Sequence, residues 1–189
     1  MKRLTNSEMQ HYLSEGYVTL QTDFPPEFHR QIWEQVDEIF EYEGNPRNEV
    51  FPRVRNLGRV LIHPAVKGAL TSILGPEYMI HPHRHCHLTK AKEPGQNNHQ
   101  DSYGDDENVR HHRSRWAMLF YYPQDVNDER GPTAVTPGSQ YYTARDSVEP
   151  LEEILLCGQA GTVAIVHYDL WRRATDYLCD EKRYLVQRV

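Results

Sequence analysis

A chain of 189 residues is long enough for one domain with a sizeable core and too short for two comfortable ones, so a single domain over 1–189 is expected. The formal charge of -6 and pI near 6.0 offer no overall basic field for nucleic acid, and eleven histidines are the one compositional oddity. Cys86, Cys157 and Cys179 are an odd number without paired spacing, and no apolar run is long enough for a signal segment or a bilayer span, so a soluble protein of the reducing cytoplasm is expected.

In chain order, "NSEMQHYLSEG" predicts a short helix capped by Asn6 or Ser7, with Met9, Tyr12 and Leu13 on one face and Gly16 at its end. "YVTL" follows as a strand. From Pro25 or Pro26 to about Glu43, Phe28, Ile32, Val36, Ile39 and Phe40 recur at helical spacing, and "GNPRN" stops the run. A third helix is predicted from Pro64 to Leu74, carrying Val66, Ala69, Leu70 and Ile73 and closed by Gly75 and Pro76. Trp33 and Trp116 read as core residues.

After Pro76 the texture changes to short strand-like segments between turn residues: "YMIHPHRHCHLTK", "RWAMLFYY", "TAVTP", "GTVAIVHY" and "RYLVQRV". Helices come first and strands afterwards. That order disfavours a doubly wound sheet and predicts an α+β fold, with N-terminal helices packed on the outside of an antiparallel sandwich or barrel. "AKEPGQNN" and "GDDENVRHH" read as loops.

Several segments carry chemistry. In "NNHQDSYGD", His99 and Asp101 stand two positions apart, and an imidazole and a carboxylate from a strand end suit two corners of the facial triad that leaves three positions open on non-haem Fe(II). Such a pair taken alone is commonly incidental. "ERGPTAVTPGSQYY" taken alone is two turns around an edge strand. His81, His83, His85 and His87 alternate, so a regular strand places all four on one face, where any His-x-His pair would chelate a metal in a cupin-like site; Pro82 disturbs that strand. Arg110, His111, His112 and Arg113 form a basic loop, either solvated or facing an anionic substrate at a pocket mouth. There is no G-x-S-x-G elbow, Ser139 sits in a turn signal, and no phosphate-cradling glycine loop is present, which disfavours a serine hydrolase or a nucleotide site.

The order of pieces is more informative than any one of them. "HQD", an aromatic strand, "GPTAVTPGS", "GTVAIVHYDLW" and "KRY", from about Asn6 to the C-terminus, together resemble the phytanoyl-CoA dioxygenase family. The resemblance implies a double-stranded β-helix, or jelly roll, and an Fe(II)- and 2-oxoglutarate-dependent oxygenase that hydroxylates a small molecule and releases succinate and carbon dioxide. It implies neither a nucleic-acid nor a membrane partner. His99 and Asp101 match the family's first two metal ligands, Arg183 in "EKRY" matches the arginine that forks onto the distal carboxylate of 2-oxoglutarate, and Phe120 in "AMLFYYP" falls where the family often places an aromatic beside the cosubstrate.

The departure comes at the last ligand. The family's histidine stands five residues after the His167 position and eleven before the cosubstrate arginine, and that place holds Arg172; the asparagine common five residues on is replaced by Tyr177. A protonated guanidinium has no lone pair for iron. Three arrangements are open: His167 turned into the role, iron held by His99, Asp101 and cosubstrate alone, or a metal-free site with Arg172 paired to Asp101. Trp171, adjacent, is expected to line the pocket. The family usually continues beyond the strand carrying Arg183, so an end at Val189 is expected to loosen that strand. The readings are therefore a jelly-roll oxygenase, impaired to the extent that Arg172 displaces iron, a non-catalytic binding or regulatory protein keeping the fold, or a cupin-like protein using the His81 to His87 strand.

Overall fold

The computed structural model describes residues 2–81, 84–101, 114–141 and 152–188, so His83 and the loop from Arg110 to Arg113 lie outside the described residues. The first helix, α1 (Asn6–Glu15), is capped by Thr5, one residue earlier than predicted. Thr5 and Glu8 form a reciprocal capping box: the Thr5 hydroxyl accepts from the Glu8 N–H at 3.2 Å, and the Glu8 carboxylate accepts from the Thr5 N–H at 2.7 Å. Gly16 ends the helix at φ 84°, where a β-carbon would also collide with Gln140 and Leu170.

Strand β1 (Tyr17–Gln21) leads into α2 (Pro26–Glu43), which starts on a proline and buries Phe28, His29, Ile32 and Val36 along one stripe. Two short helices absent from the prediction follow, α3 (Val50–Arg53) and α4 (Asn56–Ile62). Neither has a side-chain cap, and each is too short to show a period, yet Val50, Phe51, Leu57, Val60 and Leu61 are all buried. Helix α5 (Pro64–Leu74) spans the predicted residues. None of the helices described is long and apolar enough to cross a membrane.

The remaining strands are β2 (Arg84–Thr89), β3 (Ala117–Tyr121), β4 (Thr133–Val135), β5 (Ile154–Leu156), β6 (Thr162–His167), β7 (Arg172–Ala174) and β8 (Arg183–Arg188). They form a five-stranded sheet ordered β1-β6-β3-β8-β2 and a three-stranded sheet ordered β5-β4-β7. All pairings are antiparallel, the arrangement of a jelly roll. Every residue of β3 is buried because the large sheet is covered on both faces. Ala117, Leu119 and Tyr121 share a core with Val163, Ile165, Tyr184, Val186 and the helices' apolar stripes, whereas Met118 and Phe120 join Val135, Leu156, Val166 and Leu185 between the sheets.

Three expectations are corrected. The histidine-rich strand is β2, Arg84–Thr89, so His81 is not part of it, and among the described residues the one-face argument holds for His85 and His87. Trp116 is 49% exposed and is no core residue, although Trp33 packs partly buried against the helix-side core. The final strand is not a loose edge: β8 lies inside the sheet between β3 and β2, paired with β2 along its whole length.

Candidate active site

The register of β2 on β8 builds one wall of a cavity of about 250 Å³. Thr89 stands opposite Arg183, His87 opposite Leu185 and His85 opposite Gln187, and residues two apart share a face, so all six line the cavity while Tyr184 and Val186 turn to the helices. Phe120, paired with Gln187 from the other side, completes this wall.

The facing wall comes from the small sheet. Arg172 pairs with Val135, a residue of the inter-sheet core, and so presents its side chain inward. On its other side Arg172 is bridged to His99 by two backbone hydrogen bonds, His99 N–H to Arg172 O and Arg172 N–H to His99 O, both 2.9 Å. The Pro-Gly-Ser turn helps to fix this segment. Ser139 Oγ accepts from the Trp171 N–H at 3.0 Å, and Trp171 O accepts from the Thr136 N–H at 2.9 Å.

This places His99, Asp101, Phe120, Arg172 and Arg183 on one cavity. The Arg172 guanidinium donates through Nη2 to Asp101 Oδ2 as an ion pair. The Arg172 side chain is 7% exposed and that of Asp101 30%, so the pair is sheltered but not sealed. His99 Nδ1 is hydrogen bonded to Asn97 O at 2.9 Å, which leaves the lone pair of the neutral ring on Nε2, 3.9 Å from Asp101 Oδ1. Arg183 is 2% exposed; its Nη2 donates to Thr89 Oγ1 at 2.8 Å, and its Nε and Nη1 are buried without a partner among the described residues. Arg172 Nη1 is buried in the same unpartnered condition. Burial pulls the Arg183 guanidinium below its ordinary pKa, with the nearby hydroxyls of Tyr122 and Tyr177 opposing the shift. Crowding by the cavity wall likewise lowers the His87 imidazole although solvent reaches it, and His85, Arg183 and Arg172 add to that lowering while the Gln187 hydrogen bond opposes it.

These residues do not fit a three-ligand iron site. The Asp101 carboxylate is engaged by Arg172, an arginine offers no lone pair, and no group of three His, Cys, Asp or Glu side chains suited to a metal occurs among the described residues. His167 does not fill the gap: it is not on the cavity, its Nδ1 accepts from the Asp169 N–H at 3.2 Å, and its ring faces Tyr12. Trp171 is not on the cavity either, contrary to expectation. His85 and His87 do reach it, with ring centroids 5.9 Å apart, and His87 Nε2 is hydrogen bonded to Gln187 Oε1 at 3.0 Å. The two candidate sites of the sequence are thus one cavity. The alternation of histidines pointed to a shared face, but only the register shows which face. A carboxylate suits Arg183, a buried planar cation whose Nε and Nη1 have no partner among the described residues.

The phytanoyl-CoA dioxygenase (PhyH) family matches residues 5–175. No curated protein matches by sequence. Among solved structures, the chain is similar to the non-heme alpha-ketoglutarate-dependent carbocyclase SnoK of nogalamycin biosynthesis, at 17% identity over 98% of this chain and 83% of that one, TM-score 0.78. It is also similar to EctD from S. alaskensis with bound Fe, at 14% identity over 98% and 75%, TM-score 0.77. The epimerase SnoN in complex with Fe3+, alpha ketoglutarate and a nogalamycin compound matches at 15% identity over 96% and 81%, TM-score 0.75. At these identities the likeness establishes the jelly-roll fold.

Proposed function

The chain belongs to the phytanoyl-CoA dioxygenase family of oxygenases, whose usual cofactors are iron and 2-oxoglutarate, and from that premise we propose that it is a single-domain 2-oxoglutarate-binding protein whose oxygenase activity on a small molecule is impaired by Arg172. The observation that carries this reading is Arg183, a nearly buried guanidinium that lines the cavity and whose Nε and Nη1 have no hydrogen-bond partner among the described residues. Thr89 accepts from Nη2, and Nη1, without a partner among the described residues, is left to donate to an oxygen of a distal carboxylate. Phe120 and Leu185 offer apolar surface to the methylene chain between the acid groups. The sheltered position strengthens the charge pairing relative to water.

Calorimetric titration of 2-oxoglutarate into the protein and its Arg183→Met variant tests this directly. Removing one partner of a sheltered charge pair costs about 2 to 5 kcal/mol, so the variant should bind tens of fold more weakly or worse. Equal affinity for both would remove Arg183 from the role. A second reading, a fully active oxygenase, draws on the family match and on His99 and Asp101 sharing the cavity. Aerobic succinate formation at ordinary enzymatic rates, about 1 per second or faster, would favour that reading over impairment; an impaired site should form little or none.

A further inference from the structure

We propose that the Arg172 guanidinium stands in for the positive charge of a metal, so that the cavity grips a five-carbon diacid between Arg172 and Arg183 and binds it with no metal ion at all. This rests on the reading that Arg183 receives one carboxylate of such a ligand. The two arginines come from opposite sheets, Arg172 from β7 and Arg183 from β8, and both line the same cavity. Each is held at one end, Arg172 by Asp101 through Nη2 and Arg183 by Thr89 through Nη2. Each also keeps buried N–H groups with no partner among the described residues, Nη1 on Arg172 and both Nε and Nη1 on Arg183.

Buried cationic donors without acceptors are unfavourable, and an anion with two separated carboxylates satisfies both sets at once. The ion pair to Asp101 is what makes Arg172 suitable. It fixes the guanidinium through Nη2 and leaves Nη1 without a partner among the described residues. The cavity volume of about 250 Å³ lies just below the range of drug-sized ligand pockets and suits a short diacid.

Without a metal, the 2-oxo group has nothing to chelate and contributes only one acceptor oxygen. Plain glutarate should therefore bind nearly as well as 2-oxoglutarate, whereas a chelating metal site would separate the two sharply. The experiment is calorimetry on the unaltered, chelator-treated protein with 2-oxoglutarate, glutarate and butyrate, repeated with added Mn(II). The expected result is that the two diacids bind within roughly tenfold of each other, butyrate binds about thirty-fold more weakly or worse, and Mn(II) changes none of this. Binding of 2-oxoglutarate that requires Mn(II), with glutarate failing, would overturn the proposal while leaving the assignment of Arg183 intact. Absence of binding in both conditions would overturn that assignment as well.

A variant arm addresses Arg172 itself. Because Arg172→Met leaves the Asp101 carboxylate to repel the ligand, the informative protein is the double variant Arg172→Met, Asp101→Asn, checked for unchanged circular dichroism. It should bind 2-oxoglutarate about thirty-fold more weakly than the unaltered protein. Undiminished affinity would show that Arg172 makes no contact with the ligand. Should the double variant fail to fold, the metal and glutarate comparison on the unaltered protein decides the matter alone.

Discussion

Replacing Arg172 with histidine should raise the affinity of the site for a divalent cation. The backbone at this position is pinned to His99 by two hydrogen bonds, so a new imidazole would start beside His99 and next to an Asp101 carboxylate released from its ion pair. Two unit charges 4 Å apart at an effective dielectric constant near 20 interact by about 4 kcal/mol, and a divalent ion doubles this. Solvent reaches Asp101, whose side chain is 30% exposed, so a conservative figure keeps only about half of the doubled value. That is still about three orders of magnitude in metal affinity, before any gain from the third ligand. The assay is an anaerobic titration of Mn(II), with free ion counted by electron paramagnetic resonance, on the unaltered protein and Arg172→His. The variant should bind at least about a hundred-fold more tightly. If the unaltered protein already binds Mn(II) as tightly as the variant, the claim that Arg172 excludes the metal fails.

Other perturbations probe the scaffold. Gly161→Ala should destabilise the protein by about 1 to 3 kcal/mol in urea unfolding, because the residue sits at φ 92° and a β-carbon would lie 2.6 Å from His29 Nε2. Burial holds the His29 imidazole below its ordinary pKa, so the unfolded chain takes up its proton first. Stability from this group is complete above the unfolded pKa of about 6.5 and is lost as pH falls from there towards the folded value; His29→Gln should flatten the dependence of the urea midpoint between pH 7.5 and 5. Ile32→Ala, in the fully buried stripe of α2, should cost about 2 to 5 kcal/mol and leave one transition by both circular dichroism and tryptophan fluorescence. Two separated transitions would show that the helices and sheets are not one cooperative unit.

What the sequence revealed depended on how local each feature is. Helices α2 and α5 begin on prolines and carry an apolar residue on nearly every turn, so their limits are visible in the residues themselves. Helices α3 and α4 fit no periodic window, and neither do β5 and β7, strands of three residues each. The loss of β7 mattered most, because it carries Arg172 and sets it beside His99. The chemical difficulty at Arg172 was nevertheless legible, since no fold can give a guanidinium a lone pair. Which of three arrangements followed from it was not, because the contact of Arg172 with Asp101 depends on pairing between segments far apart in the chain. The same holds for the histidines. Their alternation is a property of the residues, but the union of His85 and His87 with Arg183 on one wall is a property of the β2–β8 register.

The most direct test of the account is a crystal structure of the unaltered protein grown with 2-oxoglutarate and Fe(II) under anaerobic conditions, with anomalous data collected at the iron edge. A metal-free site should show a diacid spanning Arg183 and Arg172, the Arg172 guanidinium still on Asp101, and no anomalous peak between His99 and Asp101. An iron peak at that position, with Arg172 swung away and the 2-oxo acid chelating the metal, would contradict it.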